Sequence, residues 1–219
     1  MNYLAHFHLA WPDPGLVAGG LEGDYRKGLL RGELPRGVET GVRLHRAIDA
    51  YTDAHPVLQQ LRSEFPSKLR RYAGILIDLS FDHFLSVHWA RYCDIPLADF
   101  NRQVYTALSE HRLHLSEGSQ RMLHRLIDHD ILGMYADWET IPASAQRIGQ
   151  RFRRENPFLD IDRDLASQRG RMEQAFLSFY PDLQSFSLER QQLLNDCPDP
   201  QSKLAPTDKR LSRNRTTPC

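Results

Sequence analysis

The segment Ile75-Leu-Ile-Asp-Leu-Ser-Phe-Asp-His-Phe-Leu85 constrains the fold more than any other part of the chain. Almost every residue around Asp78, Asp82 and His83 is large and apolar, so the segment belongs in an interior. Wound as a helix, it puts Asp78 and Asp82 one turn apart on the same face. Two neighbouring carboxylates in a dry place repel each other and lose hydration, so something must compensate them. A bound cation is the simplest candidate, and the imidazole of His83 offers a further ligand.

The remaining pattern is helical. Alternating β-branched runs are few, and no Asn-Gly hairpin separates them. Helical periodicity predicts short helices over 1–10, 16–30, 39–52 and 57–65, and one long buried helix over 68–92. Further helices are predicted over 97–115, 120–135, 142–155 and 162–180, the last stopped by Pro181. From about Asp196 the composition turns to Pro, Lys, Arg, Ser and Thr, which cannot bury enough surface to order itself. The expectation is an all-α, single-domain helical bundle over 1–190, followed by a disordered polar tail over 191–219.

Twenty-eight basic residues balance 28 acidic ones, so bulk charge points to no nucleic-acid partner. No apolar run approaches the length of a membrane span. Cys93, Cys197 and Cys219 form no Cys-x-x-Cys pair, and the N-terminus lacks a basic, apolar leader. Together these imply a cytoplasmic protein. The ten histidines are the unusual count, and they fit metal or acid-base chemistry.

Four places in the first 83 residues set metal-type ligands among apolar neighbours. These are His6, then Asp24 after Gly23, then His45 with Asp49 at i, i+4 and Asp53 a turn further, then Asp78, Asp82 and His83. Carboxylates and imidazoles converging from separate helices are a common route to a divalent-cation site in a bundle core. Mixed oxygen and nitrogen ligation suits manganese, magnesium or iron. Such a cation lowers the pKa of water and neutralises phosphate oxygens, which suits phosphoester hydrolysis.

Each residue also has a plain structural reading. His6 reads more readily as a hydrogen-bonded core residue, Asp24 as a helix N-cap, Asp49 as a local partner of Arg43 or Arg46, and Asp53 as solvated. Gly15, Gly19, Gly20 and Gly23 do not fit a dinucleotide-binding fingerprint and read as close helix packing. The His129-Asp130 dipeptide invites comparison with HD phosphohydrolases, but its surroundings mark it as a coincidence. Two basic stretches, with Arg62, Lys68, Arg70 and Arg71 in one and Arg147, Arg151, Arg153 and Arg154 in the other, read either as solvated faces or as docking sites for an acidic protein.

Met-Asn-Tyr-Leu-Ala-His-Phe-His-Leu-Ala, Gly-Asp24-Tyr-Arg-Lys-Gly, Leu-His45-Arg-Ala-Ile-Asp49 with Thr52-Asp53, and Asp78-Leu-Ser-Phe-Asp82-His83-Phe-Leu-Ser occur in that order. This set resembles the bacterial acyl carrier protein phosphodiesterases over roughly residues 1 to 190. The resemblance implies an all-helical, HD-like fold. It implies hydrolysis of holo-acyl carrier protein to the apo form and 4′-phosphopantetheine, a step of lipid metabolism tied to fatty acid biosynthesis. It also implies a divalent cation, manganese first, with magnesium, iron or cobalt as alternatives. Asp82-His83 stands in the reverse order to the HD pattern, so ligands cannot be copied position by position.

The resulting expectation has Asp24, Asp78 and Asp82, with His6 and His45, as metal ligands. Asp24, Asp82, His83 and Arg46 would carry the chemistry, Arg46 stabilising pentavalent charge and His83 protonating the departing serine oxygen. Arg62, Lys68, Arg70, Arg71, Arg151 and Arg154 would dock the acidic carrier protein. A nucleotide-directed phosphohydrolase and a non-catalytic helical adaptor for an acidic protein are the competing readings. Oligomeric state is open.

Overall fold

The computed structural model describes residues 1–196. The predicted tail lies almost wholly outside the described residues. These form α-helices and short 3-10 turns, with no strand. In chain order the helices are α1 (Tyr3–Ala10), α2 (Pro14–Glu22), α3 (Arg36–Ala54), α4 (Pro56–Glu64), α5 (Ser67–Arg70), α6 (Ala73–Val87), α7 (Leu97–Glu110), α8 (Glu117–Asp128), α9 (Ile131–Met134), α10 (Thr140–Gly149) and α11 (Ile161–Asp196). None of them is long and apolar enough to cross a membrane.

α1 is apolar almost all round because it is surrounded. Leu4, Ala5 and Phe7 are fully buried, and the helix packs against α2, α3, α6 and α11. α2 and α3 cross at glycine. A Cβ on Gly19 would stand 2.2 Å from the Val38 carbonyl oxygen, and one on Gly41 would stand 2.5 Å from that of Leu16. Their bareness lets the two backbones touch, which fits the reading of these glycines as packing residues. α2 also ends earlier than the periodicity suggests. Beyond Glu22 the chain turns at Gly28 and Gly32, both with positive φ, so Asp24 sits in a loop.

Other boundaries also differ from the expected ones: the helix over 97–115 ends at Glu110, that over 120–135 is split at His129-Asp130, where Asp130 has positive φ, and that over 142–155 ends at Gly149. The long helix over 68–92 is broken at Arg71-Tyr72, where the Tyr72 ring turns aside to pack on Phe152 and Phe158. α11 runs straight through Pro181, past the predicted stop and past residue 190. Pro181 faces solvent, while Phe179, Tyr180, Leu183 and Ser187 are buried around it. Side-chain burial on both sides of the proline outweighs its local cost of about 3 kcal/mol. The far half of α11 also serves α1: Ser187 and Gln191 donate to the Leu9 carbonyl at 3.1 and 2.7 Å.

Candidate metal centre

α1 and α3 bring two imidazoles face to face. The His6 and His45 rings stack with centroids 3.9 Å apart and planes inclined by 19°. Both are buried, at 3% and 4% exposure. One helical turn beyond His45, Asp49 reaches back over the pair. Its Oδ1 lies 3.2 Å from His6 Nε2 and its Oδ2 lies 3.2 Å from His45 Nε2. Asp24 approaches from the loop after α2, with Oδ1 3.6 Å from His45 Nε2. The Met1 amino nitrogen lies 3.3 Å from both Asp49 Oδ1 and Asp78 Oδ1, joining α6 to the cluster.

The site thus has a floor of imidazoles and a mouth of carboxylates. Asp24, Asp49 and Asp78 keep about 40% of their surface, at 47%, 41% and 38%. A shallow cleft opens above them, lined by Asp24, Arg26, Lys27, His45, Arg46 and Asp49. Burial pushes the Asp24 and Asp78 carboxyls upward. Burial also opposes the charge on Asp49. The adjacent His45 and His6 rings and the nearby amino group outweigh it and hold that carboxyl well below the usual range. His6, desolvated and beside His45, is lowered to about 3 and stays neutral.

A cation fits this donor set. His6 is buried with no hydrogen bond at either ring nitrogen, and His45 has none at Nδ1. Orphaned buried imidazole nitrogens are costly unless something pairs with them. One ligand atom each from His6, His45 and Asp49 lies within 4.8 Å of the others. Ligands bound at about 2.1 Å to one ion sit roughly 3–4 Å apart, so little adjustment is needed. Neutral imidazole and ionised carboxylate are the protonation states that bind a metal.

Of the other expected site residues, Arg46 lines the cleft, whereas Asp82 and His83 make other contacts. The Asp82 carboxylate is fully buried and accepts from the Leu4 and Ala5 backbone N–H groups at 2.9 and 3.1 Å. It closes the N-terminus of α1, where the Asn2 side chain makes no cap. His83 is engaged with Tyr135 and Arg169. Its Nδ1 meets the Tyr135 carbonyl at 2.8 Å, and its Nε2 lies 3.4 Å from Arg169. Arg46 donates to the Gly28 and Arg26 carbonyls at 2.9 and 2.8 Å and pins the loop that carries Asp24.

The first basic stretch is largely engaged. Arg62 pairs with Asp53, and Lys68 with Asp164, each at 2.6 Å, while Arg70 reaches the Phe65 carbonyl and Arg71 covers the Tyr72 ring. Arg151 and Arg154 are exposed. Among the described residues, His129 and Asp130 join no metal-type cluster.

Sequence reasoning gave Asp49 only a supporting place, although its i, i+4 spacing from His45 was the available signal. Lys27 was passed over. It had no signal beyond its adjacency to Asp24-Tyr-Arg.

Comparison with known proteins identifies the family. A family model described as acyl carrier protein phosphodiesterase matches residues 1–183. A protein of that name from Photorhabdus laumondii is 30% identical over 83% of this chain and 92% of its own length. One from Klebsiella pneumoniae is 31% identical over 87% and 100%, and one from Escherichia coli O6:H1 is 32% identical over 83% and 94%. No solved structure matches. The chain belongs to the acyl carrier protein phosphodiesterase family.

Proposed function

We propose that this protein hydrolyses the phosphodiester joining 4′-phosphopantetheine to a serine of holo-acyl carrier protein, in a cation-dependent reaction in the cytoplasm. The relatives' shared name supports the reaction class. The observation that carries the cation dependence is the buried pair His6 and His45, with orphaned nitrogens on both rings, facing Asp49. These three residues would hold the ion, with Asp24 and Asp78 beside it. Manganese is the first choice for nitrogen and carboxylate donors, with magnesium, iron or cobalt as alternatives. Once bound, a divalent cation supplies charge neutralisation to phosphate oxygens and acidity to water.

The chain's own residues would do the rest. Asp24, at the mouth with its carboxyl raised by burial, would accept a proton from the attacking water. Lys27 lines the same cleft, has no ion-pair partner among the described residues, and offers positive charge to the phosphate. Arg46 holds the loop on which both ride. The mass of holo-carrier protein after incubation tests the reading. With manganese it should fall to that of the apo form, and with a chelator it should not. Retention of the prosthetic group in the manganese-loaded sample would reject it.

A further inference from the structure

A cavity of about 530 Å³ lies beside the metal centre, bounded by α1, α6, α8, α9 and α10. Asn2 and Tyr3 form one wall, and the preceding residue, Met1, touches both Asp49 and Asp78. Two residues span at most about 7 Å, so cavity and donor cluster adjoin. Leu79, next in the chain to Asp78, lies on the same wall. Tyr3, half-buried on this wall, lies near Asp24 and Tyr25, which ties the wall to the mouth of the cluster.

Two kinds of surface line this space. Leu79, Met122 and Ile148 give it an apolar lining, whereas Arg125, Arg147 and Arg151 bring three guanidiniums. The arginines are exposed, and Arg125 and Arg151 have no ion-pair partner among the described residues. Arg147 makes a neutral hydrogen bond to Ser144 Oγ at 3.0 Å. Elsewhere on the protein, Arg62, Lys68 and Arg102 are paired with carboxylates. Three unspent cations around an apolar hollow suit a ligand with an uncharged, extended arm emerging from an anionic body. The volume falls in the range of about 300–1,000 Å³ that accommodates such an arm.

We propose that this cavity receives the pantetheine arm of the carrier protein, with Arg125, Arg147 and Arg151 facing the carrier's acidic surface. The inference rests on the phosphodiesterase reading above and deepens it. The phosphodiester lies at the carboxylate mouth, the arm passes Tyr3, and its terminal thiol lies against Ile148.

The terminal thiol provides the test. Holo-carrier protein activated as its thionitrobenzoate disulfide is mixed with I148C, with L113C and with the parent protein, and mixed disulfides are read by intact mass. Leu113, 88% exposed and absent from the cavity wall, supplies the non-specific rate, and the parent supplies the background of its own cysteines. Capture at I148C should exceed that at L113C by about tenfold or more, because docking raises the local thiol concentration. In parallel, I148W should lower kcat/KM for holo-carrier protein by about tenfold or more through steric exclusion. Equal capture at the two cysteines, or full activity of I148W, overturns the proposal. Failure of the parent protein to release the prosthetic group would instead reject the phosphodiesterase reading.

Discussion

Gly23 leaves the space that the His45 imidazole occupies: a Cβ there would stand 2.3 Å from the ring's Cγ and 2.8 Å from its Cβ. The glycine at the end of α2 therefore sets the position of a side chain on α3. G23A should push the ring off its stack with His6 while leaving the helices intact. Outer-shell losses at metal sites typically cost about 10- to 100-fold in affinity, and a loss in that range is expected here. Manganese titration against a competing chelator measures it, with circular dichroism as the control. Unchanged affinity would mean that His45 is not a ligand.

Asp49 faces both imidazoles and supplies the acid of the cluster. D49A should lose more metal affinity than G23A, beyond the roughly 100-fold expected of an outer-shell partner. D53A, only one turn further along α3, should stay near wild type, since Asp53 pairs outward with Arg62. Comparable losses in the two variants would argue against a site centred on Asp49.

Asp82 should make stability depend on pH. Burial pushes its carboxyl up to about 7, against the pull of the Leu4 and Ala5 N–H groups. An acid with a higher pKa in the folded state holds more protons there than when unfolded. Its contribution is thus fully present below the ordinary value of 3.8 and is lost as pH rises through about 7. The slope for one such group reaches at most about 1.4 kcal/mol per pH unit. Urea unfolding of wild type and D82N between those values should show a steeper decline for wild type. Parallel curves would show that Asp82 does not titrate in this window.

Glu22 is fully buried and ties the end of α2 to the start of α8. It accepts from Ser116 N–H at 2.9 Å, Ser116 Oγ at 3.0 Å and Ser119 Oγ at 2.6 Å, and pairs with Arg26 Nε at 3.1 Å. E22A strands these donors and should cost about 3 kcal/mol or more, read from the urea midpoint. A loss below 1 kcal/mol, the scale of an exposed pair, would contradict the clamp.

The two basic stretches should behave differently toward the carrier protein. Lys68 is held by Asp164, whereas Arg151 is exposed beside the cavity. R151E should raise KM by roughly fivefold or more, equivalent to about 1 kcal/mol, with kcat little changed. K68E should have the smaller effect. The reverse order would move the docking surface to the α4–α5 side.

Much of this was legible in the chain. The apolar run around Asp78 and Asp82 required burial, and the structure buries it in α6. His45 and Asp49 share a face of α3 by spacing alone. Helical pattern and breakers gave the element order because both act over a few residues. Where they failed, distant packing had won. Tyr72 breaks a helix to reach Phe152 and Phe158, and buried neighbours on both sides carry α11 through Pro181.

By itself, the sequence determined an all-helical protein with carboxylates and imidazoles on apolar faces. Only the tertiary structure decided which of them meet. Asp78 and Asp82 share a helix face, yet Asp82 is drawn to the free N–H groups of α1 while Asp78 turns to the cluster mouth. His83, rotated about 100° from its neighbour, is carried to the Tyr135 carbonyl instead. Helical spacing fixes which side chains share a face of one helix. The rotation and crossing of the helices fix which faces converge, and unsatisfied backbone groups decide where a buried carboxylate is spent.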